Sequence, residues 1–238
     1  MENLPTGVEG LDLLMEGGYP EGKSILVTGP PGSGKTILGL HFLHKSCQDG
    51  RKCILVLTRE LTDDVLAQAR SLKLDLEPFI EKGQLSIRNI FEDKINKIKS
   101  VSKFGKGLCA VDTDIIEYLS SMSSEVDVVV IDNIGVMAIT HDMREFADEF
   151  SSISIILMKN GCTSLFIMDE DSYNRTDRLT GYMVFGLVRL ITQENFSSGK
   201  TKQYLYIEKM RNTPVPIKYS LFDITPHGIR VISSMKSP

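Results

Sequence analysis

Gly29-Pro-Pro-Gly-Ser-Gly-Lys-Thr36 stands directly after the apolar run Ser24-Ile-Leu-Val-Thr28 and runs into Lys35 to Gln48, a segment with helical spacing. The octet matches GxxxxGK[ST] in full, and a strand before it with a helix after it is the setting this pattern requires. Glycines let the backbone fold tightly, so that successive N–H groups point into one hollow. The start of the following helix adds the positive end of its dipole. Such a hollow takes phosphate. Gly29, Pro30, Pro31, Gly32, Ser33, Gly34, Lys35, Thr36 and Ile37 are therefore the expected binding residues for ATP. Lys35 is expected to reach the β- and γ-phosphates and the Thr36 hydroxyl to ligate Mg²⁺.

Outward from the loop, short apolar runs alternate with helical segments. Cys53 to Leu57 reads as a strand, and Thr62 opens a helix with Val65, Leu66, Ala69 and Leu72 on one face, Thr62 and Asp63 serving as N-cap and first-turn residues. Leu85 to Ile90 is a weaker strand, Asp112 to Ser123 a helix, and Val126 to Ile131 a strand. Met143 to Asn160 reads as a long helix with Phe146, Phe150, Ile153 and Leu157 near helical spacing, followed by a strand from Ser164 to Met168. Nearly continuous apolar strands between helices imply an α/β fold, a mainly parallel central sheet flanked by helices on both faces. From Leu187 the pattern changes to strands at Leu187 to Thr192, Gln203 to Glu208, Ile217 to Phe222 and Ile229 to Ile232, which predicts a C-terminal antiparallel extension. No linker or tandem repeat interrupts the pattern, so residues 1–238 are expected to form a single domain.

The bulk numbers fit. The 238 residues are 42% hydrophobic and 24% charged, with a formal net charge of -4, a balance that argues against coating nucleic acid by charge alone. Cys47, Cys53, Cys109 and Cys162 form no CxxC pair and no zinc spacing, and are expected to be free thiols in a reducing cytosol. The first residues lack the basic and apolar regions of a signal peptide, and no stretch has the roughly 20 apolar residues of a membrane helix. The expected location is the cytoplasm.

A phosphate loop needs a carboxylate beside the magnesium, at the end of a neighbouring strand. Val128-Val-Val-Ile-Asp132 supplies one, with Asp132 expected to act on the metal through a water. Glu60 follows the strand Cys53 to Leu57, at the carboxyl end where ligands collect in open α/β sheets. A glutamate there polarises an attacking water or simply enters the next helix, and spacing leaves the two readings level.

Leu4-Pro-Thr-Gly-Val-Glu-Gly-Leu-Asp12, Gly17-Gly-Tyr-Pro-Glu-Gly22 and the phosphate loop together resemble the opening of a KaiC-like domain of the RecA/RadA superfamily. Leu57-Thr-Arg-Glu60 and Gln68-Ala-Arg-Ser71 are similar to its next block, Glu208-Lys-Met-Arg211 and Thr225-Pro-His-Gly-Ile229 to its closing block. The resemblance runs nearly end to end, in one copy. It implies a RecA-type P-loop domain in a homo-oligomeric ring, usually a hexamer, with ATP between neighbours. By that resemblance Lys209 and Arg211 reach the γ-phosphate of the adjacent subunit's nucleotide. Where family ATPases carry two adjacent glutamates, this chain has Arg59-Glu60, which predicts slow Mg-dependent hydrolysis by an oligomeric switch. A non-hydrolysing ATP sensor resembling the archaellum ATP-binding subunit is the alternative that Arg59 favours. A RadA-paralogue-type recombination accessory protein is a further one, opposed by the acidic composition and the lack of a helix-hairpin-helix module. The protein partner is not legible.

Lys94, Lys97, Lys99, Lys103 and Lys106 read as a solvated loop. His41 and His44, at i and i+3, would bind metal only with further ligands, and none is evident.

Overall fold

The computed structural model describes residues 2–101, 113–140, 142–170, 176–195, 200–216 and 218–232. A short ribbon of β1 (Asn3–Leu4) and β2 (Tyr19–Pro20) leads into β3 (Ser24–Gly29), α1 (Lys35–Gln48), β4 (Cys53–Leu57), α2 (Thr62–Ser71), α3 (Glu77–Glu81), β5 (Leu85–Asn89) and α4 (Ile90–Val101). Then come α5 (Thr113–Ser120), β6 (Val128–Asp132), α6 (Met137–Thr140), α7 (Met143–Lys159), β7 (Thr163–Asp169) and α8 (Thr176–Met183). The chain closes with β8 (Gly186–Asn195), β9 (Lys200–Met210), β10 (Ser220–Thr225) and β11 (Gly228–Ile232).

A nine-stranded sheet runs in the order β5-β4-β6-β7-β3-β8-β9-β10-β11. Neighbours from β5 to β8 are parallel, and the pairings from β8 to β11 are antiparallel. The parallel strands are apolar on both sides because both faces are covered. Ile25 and Val27 of β3 join Leu38, Leu40 and Leu43 of α1 in one core. Leu26 points the other way, into a second core with Phe166 and the α7 residues Phe146, Phe150, Ile153 and Leu157. Those four lie on one stripe of α7 and are fully buried, each worth about 1.5–3 kcal/mol on burial. The helix starts on a capping box, with Asp142 accepting from the Arg144 and Glu145 N–H groups and Glu145 reaching back to the Asp142 N–H.

The fold class and the antiparallel extension agree with the sequence reading; several boundaries do not. Thr62 is not an N-cap: Leu61 holds that position without a side-chain cap. The Thr62 N–H instead donates to Glu92 at 2.8 Å, and its hydroxyl accepts from Asn89 at 3.0 Å. The lysine-rich stretch read as a loop is helical as far as Val101, anchored by buried Ile90 in the second core; Lys103 and Lys106 lie outside the described residues. The strand read at Ile217 to Phe222 is displaced to Ser220–Thr225, because the turn that pairs Thr225 with Gly228 fixes its register against β11. The helices α3 and α8 were not anticipated.

Candidate functional site

Gly29 ends β3 opposite Leu190 of β8, where a Cβ would lie 2.5 Å from the Leu190 carbonyl oxygen. Only glycine allows the loop to leave the sheet there. Gly34 occupies the N-cap of α1 at φ 96°, a left-handed conformation that frees the loop to turn into the helix without a side-chain cap. The N-terminus of α1 therefore faces the loop with its N–H groups uncapped by any side chain.

Parallel register then gathers the carboxylates. Gly29 pairs with Asp169 across β3 and β7, and Asp132 pairs with Leu57 across β6 and β4. The carboxyl ends of four strands thus open on one cleft of about 490 Å³. It is lined by Pro31, Gly32, Gly34, Lys35, Thr36 and Ile37 from the loop and α1, and by Arg59, Glu60, Asp132, Asn133 and Asp169 from the strand ends.

Inside the cleft the polar groups are already paired with one another. The Thr36 hydroxyl donates to Asp132 Oδ2 at 2.7 Å, joining positions 96 residues apart. Burial pushes the Asp132 carboxyl up to about 6, against the Thr36 hydrogen bond, with the charge of nearby Glu60 adding to the rise. A buried carboxylate hydrogen-bonded to a hydroxyl offers two oxygen donors of the kind Mg²⁺ takes alongside phosphate oxygens and waters. Lys35 Nζ donates to the carbonyls of Gly29 and Pro30 at 2.9 and 2.8 Å and meets Asp169 Oδ1 at 2.8 Å. Asp169 Oδ2 accepts from Arg59 and from Asn133, both at 2.9 Å. The Glu60 side chain is exposed, and among the described residues no hydrogen bond or ion pair engages its carboxylate.

Most of the residues singled out in the sequence come together here, while Ser33 of the loop is buried and does not line the cleft. Lys209 and Arg211 do not line this cleft. Lys209 donates to the Gly181 carbonyl at 2.6 Å and Arg211 to that of Tyr182 at 3.3 Å, both at the end of α8. Burial and the Arg211 charge beside it lower the Lys209 pKa. Asp169 and Asn133 were missed. Asp169 carries the same signal as Asp132, an acid at the carboxyl end of an apolar strand, one residue beyond the strand expected from Ser164 to Met168.

His41 and His44 meet no further ligands: among the described residues no group of three potential metal-binding side chains occurs. Nor is any described helix long and apolar enough to cross a membrane.

Comparison with known proteins matches residues 4–236 to the family model for the KaiC ATPase. The chain is 30% identical over 235 residues to UPF0273 protein PH0284 of Pyrococcus horikoshii, covering 96% of this chain and 93% of that one. The crystal structure of the KaiC-like protein PH0186 from the same organism superposes with a TM-score of 0.77 at 25% identity, covering 98% of this chain and 99% of that chain. A shorter match, 37% identical over 94 residues, relates 39% of this chain to 19% of the circadian clock oscillator protein KaiC of Prochlorococcus marinus.

Proposed function

The chain belongs to the KaiC ATPase family, and from that membership we propose that it binds ATP with Mg²⁺ in the cleft between Lys35 and Asp132 and hydrolyses it slowly, as a subunit of a cytoplasmic homo-oligomeric ring. The observation that carries this reading is the meeting of Thr36 and Asp132 at 2.7 Å beside Lys35. It puts a hydroxyl and a carboxylate where a phosphate-bound cation needs oxygen donors, with an ammonium alongside for the phosphates. Loop N–H groups from Gly29 to Ile37 cradle the phosphates. Thr36 and Asp132 would hold the magnesium, which supplies charge neutralisation when bound. Glu60 orients the attacking water from the far wall and accepts its proton.

Lys209 and Arg211 lie outside this chain's own cleft, in keeping with the family resemblance by which they act on the nucleotide of a neighbouring subunit. On this reading a ring is needed for turnover. The sheet and its two cores draw on elements from Leu4 to Val231, which supports reading 1–238 as one nucleotide-binding domain. Buried free thiols at Cys47, Cys53 and Cys162 are in keeping with a cytoplasmic setting.

Phosphate release by the purified protein, with and without Mg²⁺ and alongside its mass in solution, tests the proposal. Slow, magnesium-dependent release from an assembled species is expected. ATP binding without any release from an assembled species would replace the ATPase by the ATP sensor, a reading that the Arg59–Asp169 ion pair at 2.9 Å favours, since it fills the strand ends with charge pairs instead of a second base.

A further inference from the structure

The Lys35 ammonium is already engaged in this structure: it donates to two loop carbonyls and is ion-paired with the Asp169 carboxylate at 2.8 Å. A phosphate oxygen reaches the ammonium only by displacing one of them. The carbonyls belong to the loop that wraps the phosphates, whereas Asp169 competes as an anion for the same cation. Its carboxylate is not free to swing aside. Asn133 donates to Asp169 Oδ2 at 2.9 Å, and is itself buried and pinned by the Gly135 N–H at 2.8 Å. Arg59 holds the same oxygen from the solvent side.

Resting on the nucleotide-binding reading above, we propose that Asp169 is a built-in rival of the γ-phosphate for Lys35, held in place by Asn133 and Arg59, and that it sets the balance between ATP and ADP in this site. The direction follows from charge. ADP asks Lys35 to serve the β-phosphate alone; ATP asks it to serve the γ-phosphate as well and brings more negative charge toward a carboxylate that stays put. Asp169 therefore weakens both nucleotides and ATP more. Arg59 neutralises the carboxylate once Lys35 has turned away, so it moderates the penalty and acts through Asp169.

The experiment is a titration of MgATP and of MgADP into the parent protein, Asp169→Asn, Asp169→Ser, Arg59→Gln, the double variant Arg59→Gln/Asp169→Asn, and Lys35→Ala, with folding checked by thermal melt. Asp169→Asn should tighten MgATP about tenfold and MgADP by a few-fold at most, and Asp169→Ser should do the same if the amide variant folds poorly. Arg59→Gln should weaken MgATP by a few-fold in the parent background and have no effect once Asp169 is neutral, the mark of action through that residue. If the parent binds nucleotide, Lys35→Ala does not, and both Asp169 variants keep the parental ratio of ATP to ADP affinity, the inference falls while the nucleotide site stands. If the parent binds neither nucleotide, the site assignment and the inference fall together.

Discussion

His41 Nε2 accepts the backbone N–H of Ile229 at 2.9 Å across 188 positions of sequence, tying α1, the helix that leaves the phosphate loop, to β11 at the sheet edge. Only a neutral ring nitrogen can accept. Burial pushes the His41 pKa down from 6.5 to about 4, so the folded state resists the proton that the unfolded chain accepts. Above about pH 6.5 both states are neutral and the contribution is complete. As pH falls from there toward 4 only the unfolded chain gains the proton, and stability drops by at most roughly 3 kcal/mol from this group. Asp132, with its pKa raised to about 6, works in the opposite sense. Urea midpoints at pH 7.5 and 5 should therefore be compared between the parent and His41→Gln. The parent should lose more stability on acidification than the variant, and equal losses would show that His41 is not the sensitive group.

The parts of the fold that were legible are those where one local signal suffices. The helix Lys35–Gln48 and the strand Cys53–Leu57 were read with the bounds they have, because an apolar run or a helical spacing stands there between clear breaks. α4 was hidden by its lysines, which mask the apolar side of an amphipathic helix. The site was legible where a local signal marks each residue: Lys35 and Thr36 by the motif, Asp132 and Glu60 by their places at strand ends. Lys35 and Thr36 come from a contiguous motif, whereas the contact of Lys35 with Asp169 depends on the register of β3 against β7. Register between strands distant in sequence is set by the packing of whole faces, which no short window contains.

Lys35→Ala should abolish tight ATP binding and leave the fold in place. The ammonium sits at the cleft wall bonded to loop carbonyls and Asp169, and not in either apolar core. Its loss removes the phosphate contact and leaves Asp169 facing the phosphates with Arg59 as its remaining counterion. Nucleotide titration with a parallel thermal melt reads both halves of the claim. Parental affinity in this variant would remove the phosphate loop from the mechanism.

Among the described residues, Lys209 and Arg211 donate to carbonyls at the end of α8 within their own chain. If they serve a neighbour's nucleotide, sedimentation should show larger species with ATP than without. Lys209→Ala/Arg211→Ala should lower phosphate release at least about tenfold, since a cation supplied across an interface stabilises transition-state charge. Mixing that variant with Lys35→Ala should restore part of the activity, because each Lys35→Ala subunit lends intact cations to a neighbour with an intact loop. A strict monomer at every protein and ATP concentration, or mixtures no more active than their components, would exclude action in trans.

Two carboxylates in the cleft compete for the role of base, and their surroundings separate them. Asp169 has both oxygens occupied, one by Lys35 and the other by Arg59 and Asn133, so its lone pairs are committed to cations and an amide. Glu60 lies close enough to Asp132 to raise its pKa, and its own carboxylate is exposed to the cleft. The neighbouring Arg59 does not turn toward it; the guanidinium faces Asp169 instead. A guanidinium is a donor only and cannot take a water proton, so Glu60 is the acceptor left at the end of β4. Glu60→Gln should keep ATP binding and lose hydrolysis by roughly 10²-fold or more, the usual scale for a general base. Asp169→Asn should retain turnover, because it removes a counterion and leaves the base. Single-turnover phosphate release at saturating MgATP measures both variants free of affinity changes. Parental release in Glu60→Gln would make Glu60 a helix-entry residue, and loss of release in Asp169→Asn alone would move the base to the end of β7.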